Sequence, residues 1–113
     1  MAGNITISDA EGTWVVRAGG AVLGESSNAL KLEEDGYPFV IYFPRGDIAM
    51  AFLDTSDKST TCPHKGQASY FSIQTKSLTI RDAAWSYEDP KDDVARIKGH
   101  LAFMDPEVTV EQV

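Results

Sequence analysis

The chain has 113 residues, of which 42% are hydrophobic and 24% charged. That is enough apolar material for one buried core, and it excludes a disordered chain. The net charge is −7 and the ten Lys and Arg residues are scattered, so neither nucleic acid nor an anionic membrane surface is an expected partner.

Cys62 is the single cysteine, which excludes an internal disulfide framework. No apolar run approaches the ~20 residues of a spanning helix. Met1 to Ala10 has no basic start and no apolar centre, so it does not read as a signal peptide. The expectation is a soluble, acidic, cytoplasmic protein of one domain covering residues 1–113.

Ile5 and Ile7 bracket Thr6 as a short strand. Thr13 to Arg17 and Val22-Leu23 read as two strands joined at Gly19-Gly20, a pair that reaches positive φ without steric cost. Asn28 to Leu32 reads as a strand ending before the turn signal Asp35-Gly36. The run Pro38 to Phe43 is short, apolar, β-branched and aromatic, which predicts a central strand. Asp47 is placed to cap a short helix from Ile48 to Leu53, with Ile48, Ala51 and Phe52 on one face.

Asp54 to Thr61 reads as a polar loop leading into an irregular Cys62-Pro63-His64-Lys65-Gly66 segment. Ala68 to Ser72 and Leu78 to Ala84 predict a second hairpin, and Trp85 and Tyr87 extend its alternation. Asp89-Pro90 suggests the start of a second short helix carrying Val94 and Ile97, with Gly99 as its stop. His100 to Met104 and Val108 to Val110 predict two last strands. The expected class is α+β, mainly β, with eight or nine antiparallel strands in a barrel-like arrangement and two short helices.

Several of these segments form an ordered series. They are Tyr42-Phe43-Pro44-Arg45 with Asp47, Thr61-Cys62-Pro63-His64-Lys65-Gly66-Gln67-Ala68-Ser69-Tyr70, Ala83-Ala84-Trp85-Ser86-Tyr87 with Pro90, and Gly99-His100-Leu101-Ala102-Phe103. From about Trp14 to the end, the chain resembles the DUF427 family. The resemblance implies a compact β-rich domain of β-tent architecture, related to zinc ribbons but without their metal. It implies no established activity. A nucleotidyltransferase-like label is sometimes attached to the family, and it needs metal-binding acids behind a Gly-Ser turn. The nearest match is Gly24-Glu25-Ser26 with Glu33 and Asp35, and Glu33 and Glu34 read as a solvated strand end. His64 stands where the family tends to carry an aromatic residue, which makes it a poor candidate for any shared role.

Cys62, His64 and His100 invite a metal reading, but zinc favours paired ligands and no second cysteine exists. No metal and no cofactor is expected. Cys62 as a nucleophile with His100 as its base, or His100 alone as general acid or base, are the catalytic candidates. The bland alternatives are an inert thiol and a structural histidine. Lys65-Gly66 and Arg45 are the anion-binding candidates if their loops meet, and otherwise pair with nearby acids. Tyr42, Tyr70, Trp85 and Tyr87 are the aromatic residues that could line a ligand cleft, with Tyr70, Trp85 and Tyr87 as its main wall, against a default of core packing. Arg45-Gly46-Asp47 spells an adhesion tripeptide, read here as coincidence.

Two functions of different class remain open. One is a domain binding a small anionic metabolite, with or without catalysis, through Arg45, Lys65, Tyr70, Trp85, Tyr87 and His100. The other is a non-catalytic interaction module that presents the aromatics as a flat patch, for instance in a homodimer.

Overall fold

Alternating apolar residues and glycine-marked turns set most of the strand pattern in the computed structural model, which describes residues 4–113. The strands are β1 Ile5–Asp9, β2 Trp14–Ala18, β3 Ala21–Ser26, β4 Leu30–Glu34, β5 Val40–Tyr42, β6 Leu53–Cys62, β7 Gly66–Gln74, β8 Thr79–Tyr87, β9 Ala102–Phe103 and β10 Val108–Gln112. The Gly19-Gly20 hairpin joins β2 to β3, with Gly19 at φ 58°. The reading of Met1 to Ala10 falls partly on residues 1–3, which lie outside the described residues.

The strands form three antiparallel sheets, ordered β1-β4-β5, β10-β2-β3 and β6-β7-β8-β9. Beyond the end of β5, Phe43 and Leu101 exchange backbone hydrogen bonds of 2.8 and 2.9 Å. This bridge carries the first sheet into the third. A second bridge, Gly24 to Ile48, ties β3 to the segment after β5. The architecture is mainly β, but the expected barrel does not form: the sheets stay open, with strands at free edges among the described residues.

The two expected helices are corrected to 3-10 turns. Ile48 is drawn into extended backbone (φ −108°, ψ 136°) by its bridge to Gly24. The helix expected over 48–53 therefore splits into turns at Arg45–Asp47 and Met50–Phe52. Asp47 caps neither; its carboxylate accepts a hydrogen bond from the Ser26 hydroxyl at 2.7 Å. After Pro90, extended backbone at Lys91 delays the next turn to Asp92–Ile97, and Val94 interrupts it at φ −123°, ψ 25°. Val94 and Ile97 are buried as the spacing suggested.

Asp54 to Thr61, read as a loop, is most of β6. Its side chains are largely exposed because it is an edge strand, so no apolar alternation marks it. Repeated threonines suit the extended backbone. Its register with β7 shifts between Thr55 and Ser59. The segment His100 to Met104 is reduced to the two-residue β9 plus the Leu101 bridge.

Two apolar clusters lie on opposite faces of the third sheet. Successive side chains of a strand face opposite ways, and paired residues share a face. Phe71 pairs with Ala84, and both belong to the larger cluster with Val16, Leu23, Phe43, Ile73, Leu101 and Phe103. Tyr70 pairs with Trp85 and Ala68 with Tyr87, and all four belong to the second cluster with Leu32, Tyr42, Val94 and Ile97.

Candidate functional site

The same alternation decides which candidate residues can meet. Ser86 lies between Trp85 and Tyr87 on β8 and so faces the other side. Arg45 goes with Ser86. Its guanidinium approaches the Ser86 hydroxyl at 3.4 Å, binds the Glu88 carboxylate at 2.5 Å and donates to the Gly99 carbonyl at 3.1 Å. It also lies 5.7 Å from the Phe71 ring centroid, on the larger cluster's side. The Ser86 hydroxyl donates to Glu88 as well. Partial burial raises the proton affinity of Glu88, but the hydrogen bonds from Ser86 and Arg45 outweigh it and hold the carboxyl below its ordinary range. Arg45 thus joins the start of the first 3-10 turn to the end of β8.

Lys65 sits on the opposite side of the sheet. It ends the Pro63-His64-Lys65 turn between β6 and β7, where its N–H returns to the Cys62 carbonyl at 3.3 Å. Gly66 follows at φ 114°, and a Cβ there would meet the Asp89 carbonyl at 3.4 Å. Glycine lets this turn pack against the Asp89-Pro90-Lys91 segment, where the Lys91 N–H bonds the Lys65 carbonyl at 3.0 Å. The Lys65 ammonium pairs with Glu34 at 2.9 Å, and the two side chains are only 14% and 10% exposed.

This pair lines a cavity of about 500 Å³ with Leu32, Val40, Cys62, Pro63, His64, Tyr37, Pro38 and Met104. Pro38, Val40 and Met104 also line an adjoining cavity of about 350 Å³ with Trp14, Phe39 and Phe103. Among the described residues, no three His, Cys, Asp or Glu side chains gather to hold a metal ion. Arg45 and His100 do not line the Lys65 cavity. The His100 Nδ1 lies 3.1 Å from the Lys98 carbonyl.

The aromatic residues gather in the second apolar cluster, and Tyr70, Trp85 and Tyr87 do not line the Lys65 cavity. The Tyr70 and Trp85 ring centroids are 6.2 Å apart, and the Trp85 indole N–H donates to the Tyr42 hydroxyl at 3.3 Å. The Tyr70 hydroxyl bonds Thr60 at 3.1 Å, and the Lys58 ammonium lies 4.6 Å from the Tyr70 ring centroid. Burial is the main force on the Tyr42 phenol and pushes its pKa up to about 12, against the Trp85 hydrogen bond. Tyr87 is raised too, chiefly by burial, then by Tyr42, Cys62, Tyr70 and Glu34. Both phenols therefore stay protonated at neutral pH.

Residues 6–113 fit the model of a family described as a domain of unknown function, DUF427. The chain belongs to DUF427. No curated protein matches it. The Cys-Pro-His-Lys-Gly stretch of this DUF427 chain forms the β6–β7 turn, and its Ala-Trp-Ser-Tyr stretch ends β8, so both border the second apolar cluster. Sequence reasoning missed the role of Glu34 and the bond that Tyr42 makes. Glu34 lies in an acidic strand end that reads as solvated, and only tertiary pairing with Lys65 shows otherwise. Tyr42 was visible as an aromatic residue, but its bond to Trp85 crosses 43 positions of sequence. No helix among the described residues is long and apolar enough to cross a membrane.

Proposed function

We propose that this chain is a single small-molecule-binding unit whose ligand seats in the Lys65 cavity. The observation that carries the reading is a nearly buried ion pair set in a mostly apolar cavity. Desolvating two charges is costly, and fold stability alone gives little reason to keep them. A cavity with an apolar wall and a few convergent polar groups is the usual form of a ligand site. The ligand is a small amphipathic carboxylate. Its charge engages Lys65 and its apolar body lies along Val40, Pro38 and Met104.

Glu34 makes a polyanion such as a nucleoside triphosphate a poor fit, because the second and third charges would face a carboxylate. Trp85, Tyr70 and Tyr87 stand behind this site as its packed support. Arg45 serves the fold on the far side of the sheet.

The test is thermal unfolding of the protein with 3-phenylpropanoate, sugar phosphates, nucleotides and divalent cations. Binding to the native state raises the midpoint by mass action. A shift with 3-phenylpropanoate that is lost in Lys65→Gln supports the reading, and no shift with that acid sinks it.

A second reading rests on one further observation. Tyr37, Phe39 and Met104 are large, roughly half exposed or more, and border the two adjoining cavities. A surface of that kind also suits an interaction module. Sedimentation analysis discriminates the two: a dimer lost in Phe39→Ser favours the module.

A further inference from the structure

Pro38, Val40 and Met104 line both the Lys65 cavity and the adjoining one, so a ligand can pass along them from the first to the second. The register of the strands explains how one wall serves two cavities. Val40 pairs with Leu32 and packs against the second apolar cluster, whereas Ile41 belongs to the larger cluster with Phe103. Neighbouring residues of a strand face opposite ways. Leu32 lines the Lys65 cavity, and Ile41 and Phe103 line the adjoining one. The two cavities therefore lie on opposite faces of β5 and meet around Val40.

The sheet is unsealed at that point. The Phe43–Leu101 bridge ties the end of β5 to the residue before β9, and pairing stops there: β5 and β9 belong to different sheets. Val40 on one strand and Met104 just after the other line both cavities.

The chemistry of the adjoining cavity, about 350 Å³ in volume, differs from that of the first. No charged side chain among the described residues lines it. The Trp14 indole N–H, its one strong side-chain donor, is already given to the Glu11 carbonyl at 3.0 Å. Phe39 is about half exposed yet held in place, edge-on to Trp14 at 6.3 Å and with the Lys31 ammonium 4.6 Å from its ring centroid. A sugar, phosphate or nucleobase would lose its bonds to water here and find no side chain to replace them. A saturated hydrocarbon gives up nothing and gains by leaving water.

We infer that this second cavity seats the far end of an unbranched alkyl chain whose carboxylate lies at Lys65, so that the ligand is a medium-chain fatty acid. The inference rests on the cavity reading above and names the ligand class for it. A flexible chain can turn at Val40 from one face of β5 to the other, which a rigid ring system of the same length cannot. Hexanoate and 3-phenylpropanoate end along the shared wall, whereas decanoate continues to Trp14.

Trp14 lines the second cavity, and Trp85, the other tryptophan, lines neither. In Trp85→Phe the emission therefore reports on the second cavity alone. The test titrates hexanoate, octanoate and decanoate into the wild type by calorimetry and follows Trp14 emission in Trp85→Phe. A fully buried methylene is worth roughly fourfold in affinity. Phe39 and Met104 leave this cavity partly open, so about twofold per methylene is expected, or about fifteenfold from hexanoate to decanoate. Decanoate should also move Trp14 emission to the blue, and hexanoate should not. Val110→Phe fills the second cavity from β10 and should bring decanoate down to the affinity of hexanoate.

If decanoate binds no more tightly than hexanoate, or binds without moving Trp14 emission, the inference is overturned while the Lys65 cavity reading stands. A decanoate response undiminished in Lys65→Gln also overturns it, because the chain then enters without its anchor. Silence from every acid, 3-phenylpropanoate included, overturns both readings.

Discussion

Lys65 and Glu34 illustrate how burial changes the worth of a charge. An exposed pair of this kind contributes little, whereas removing one partner of a buried pair leaves the other uncompensated. With both side chains mostly buried, Lys65→Met should cost about 2 kcal/mol in urea unfolding. Adding Glu34→Leu should recover most of that loss, because the orphaned carboxylate is then gone. Tyr42 yields a pH prediction. Its pKa is raised from the ordinary value of 10.0 to about 12, so below pH 10 the phenol is neutral in both folded and unfolded chains and its contribution is complete. As pH rises from 10 towards 12 the unfolded chain ionises first, and stability is lost by about 3 kcal/mol in total. Tyr42→Phe should flatten the stability profile in this window. Tyr87 has a shift of the same sign, so some slope should remain.

Bridges and bulges, more than regular helices, position the elements. At Gly24 an added Cβ would lie 2.5 Å from the Ile48 Cδ1 and 2.6 Å from the Asp47 carbonyl. Gly24→Ala should therefore open the bridge that ties β3 to the segment after β5, with a loss of roughly 2 kcal/mol in chemical denaturation. A second special point is Asp82 on β8, a non-glycine residue at φ 54°. It coincides with register shifts in both β6–β7 and β7–β8. Its N–H bonds the Ser72 hydroxyl at 3.1 Å, and its carboxylate accepts from Ser56. These bonds hold a bulge that bends the long hairpin. Asp82→Gly keeps the backbone conformation and loses only the side-chain contact, whereas Asp82→Ala loses both, so alanine should be the more destabilising by about 1 kcal/mol.

At the level of the molecule, two apolar clusters share one sheet, and Phe43 with Leu101 links that sheet to the next. Trp14 packs against the larger cluster and Trp85 against the second. If the whole chain folds as one cooperative unit, Trp14→Phe and Trp85→Phe variants each retain a fluorescent reporter of one cluster, and each should match its own circular-dichroism midpoint. Fluorescence and circular-dichroism midpoints that separate within either variant would show that the clusters unfold independently.

Local signals were legible in the sequence: the Gly19-Gly20 hairpin, a strand before Pro44 (only Val40–Tyr42, and at the end of its sheet rather than its centre), the Tyr70 and Trp85 neighbourhood, and the DUF427 series itself. Each depends on a residue and its near neighbours, or on a two-residue alternation. The two helices were misread because the pull on Ile48 comes from Gly24, 24 positions earlier, and no local pattern reports it. Strand β6 was misread because an edge strand wet on both faces has no apolar period. The separation of Arg45 from Lys65 was decided only in three dimensions. Both are basic loop residues in the sequence, but Arg45 packs on the Ser86 and Phe71 face of the sheet and Lys65 beside Glu34 on the other. The sequence by itself determined the strand-rich character and the family, both written in local pattern. The tertiary structure decided which acid meets which base and which face each residue serves, because those depend on contacts between distant strands.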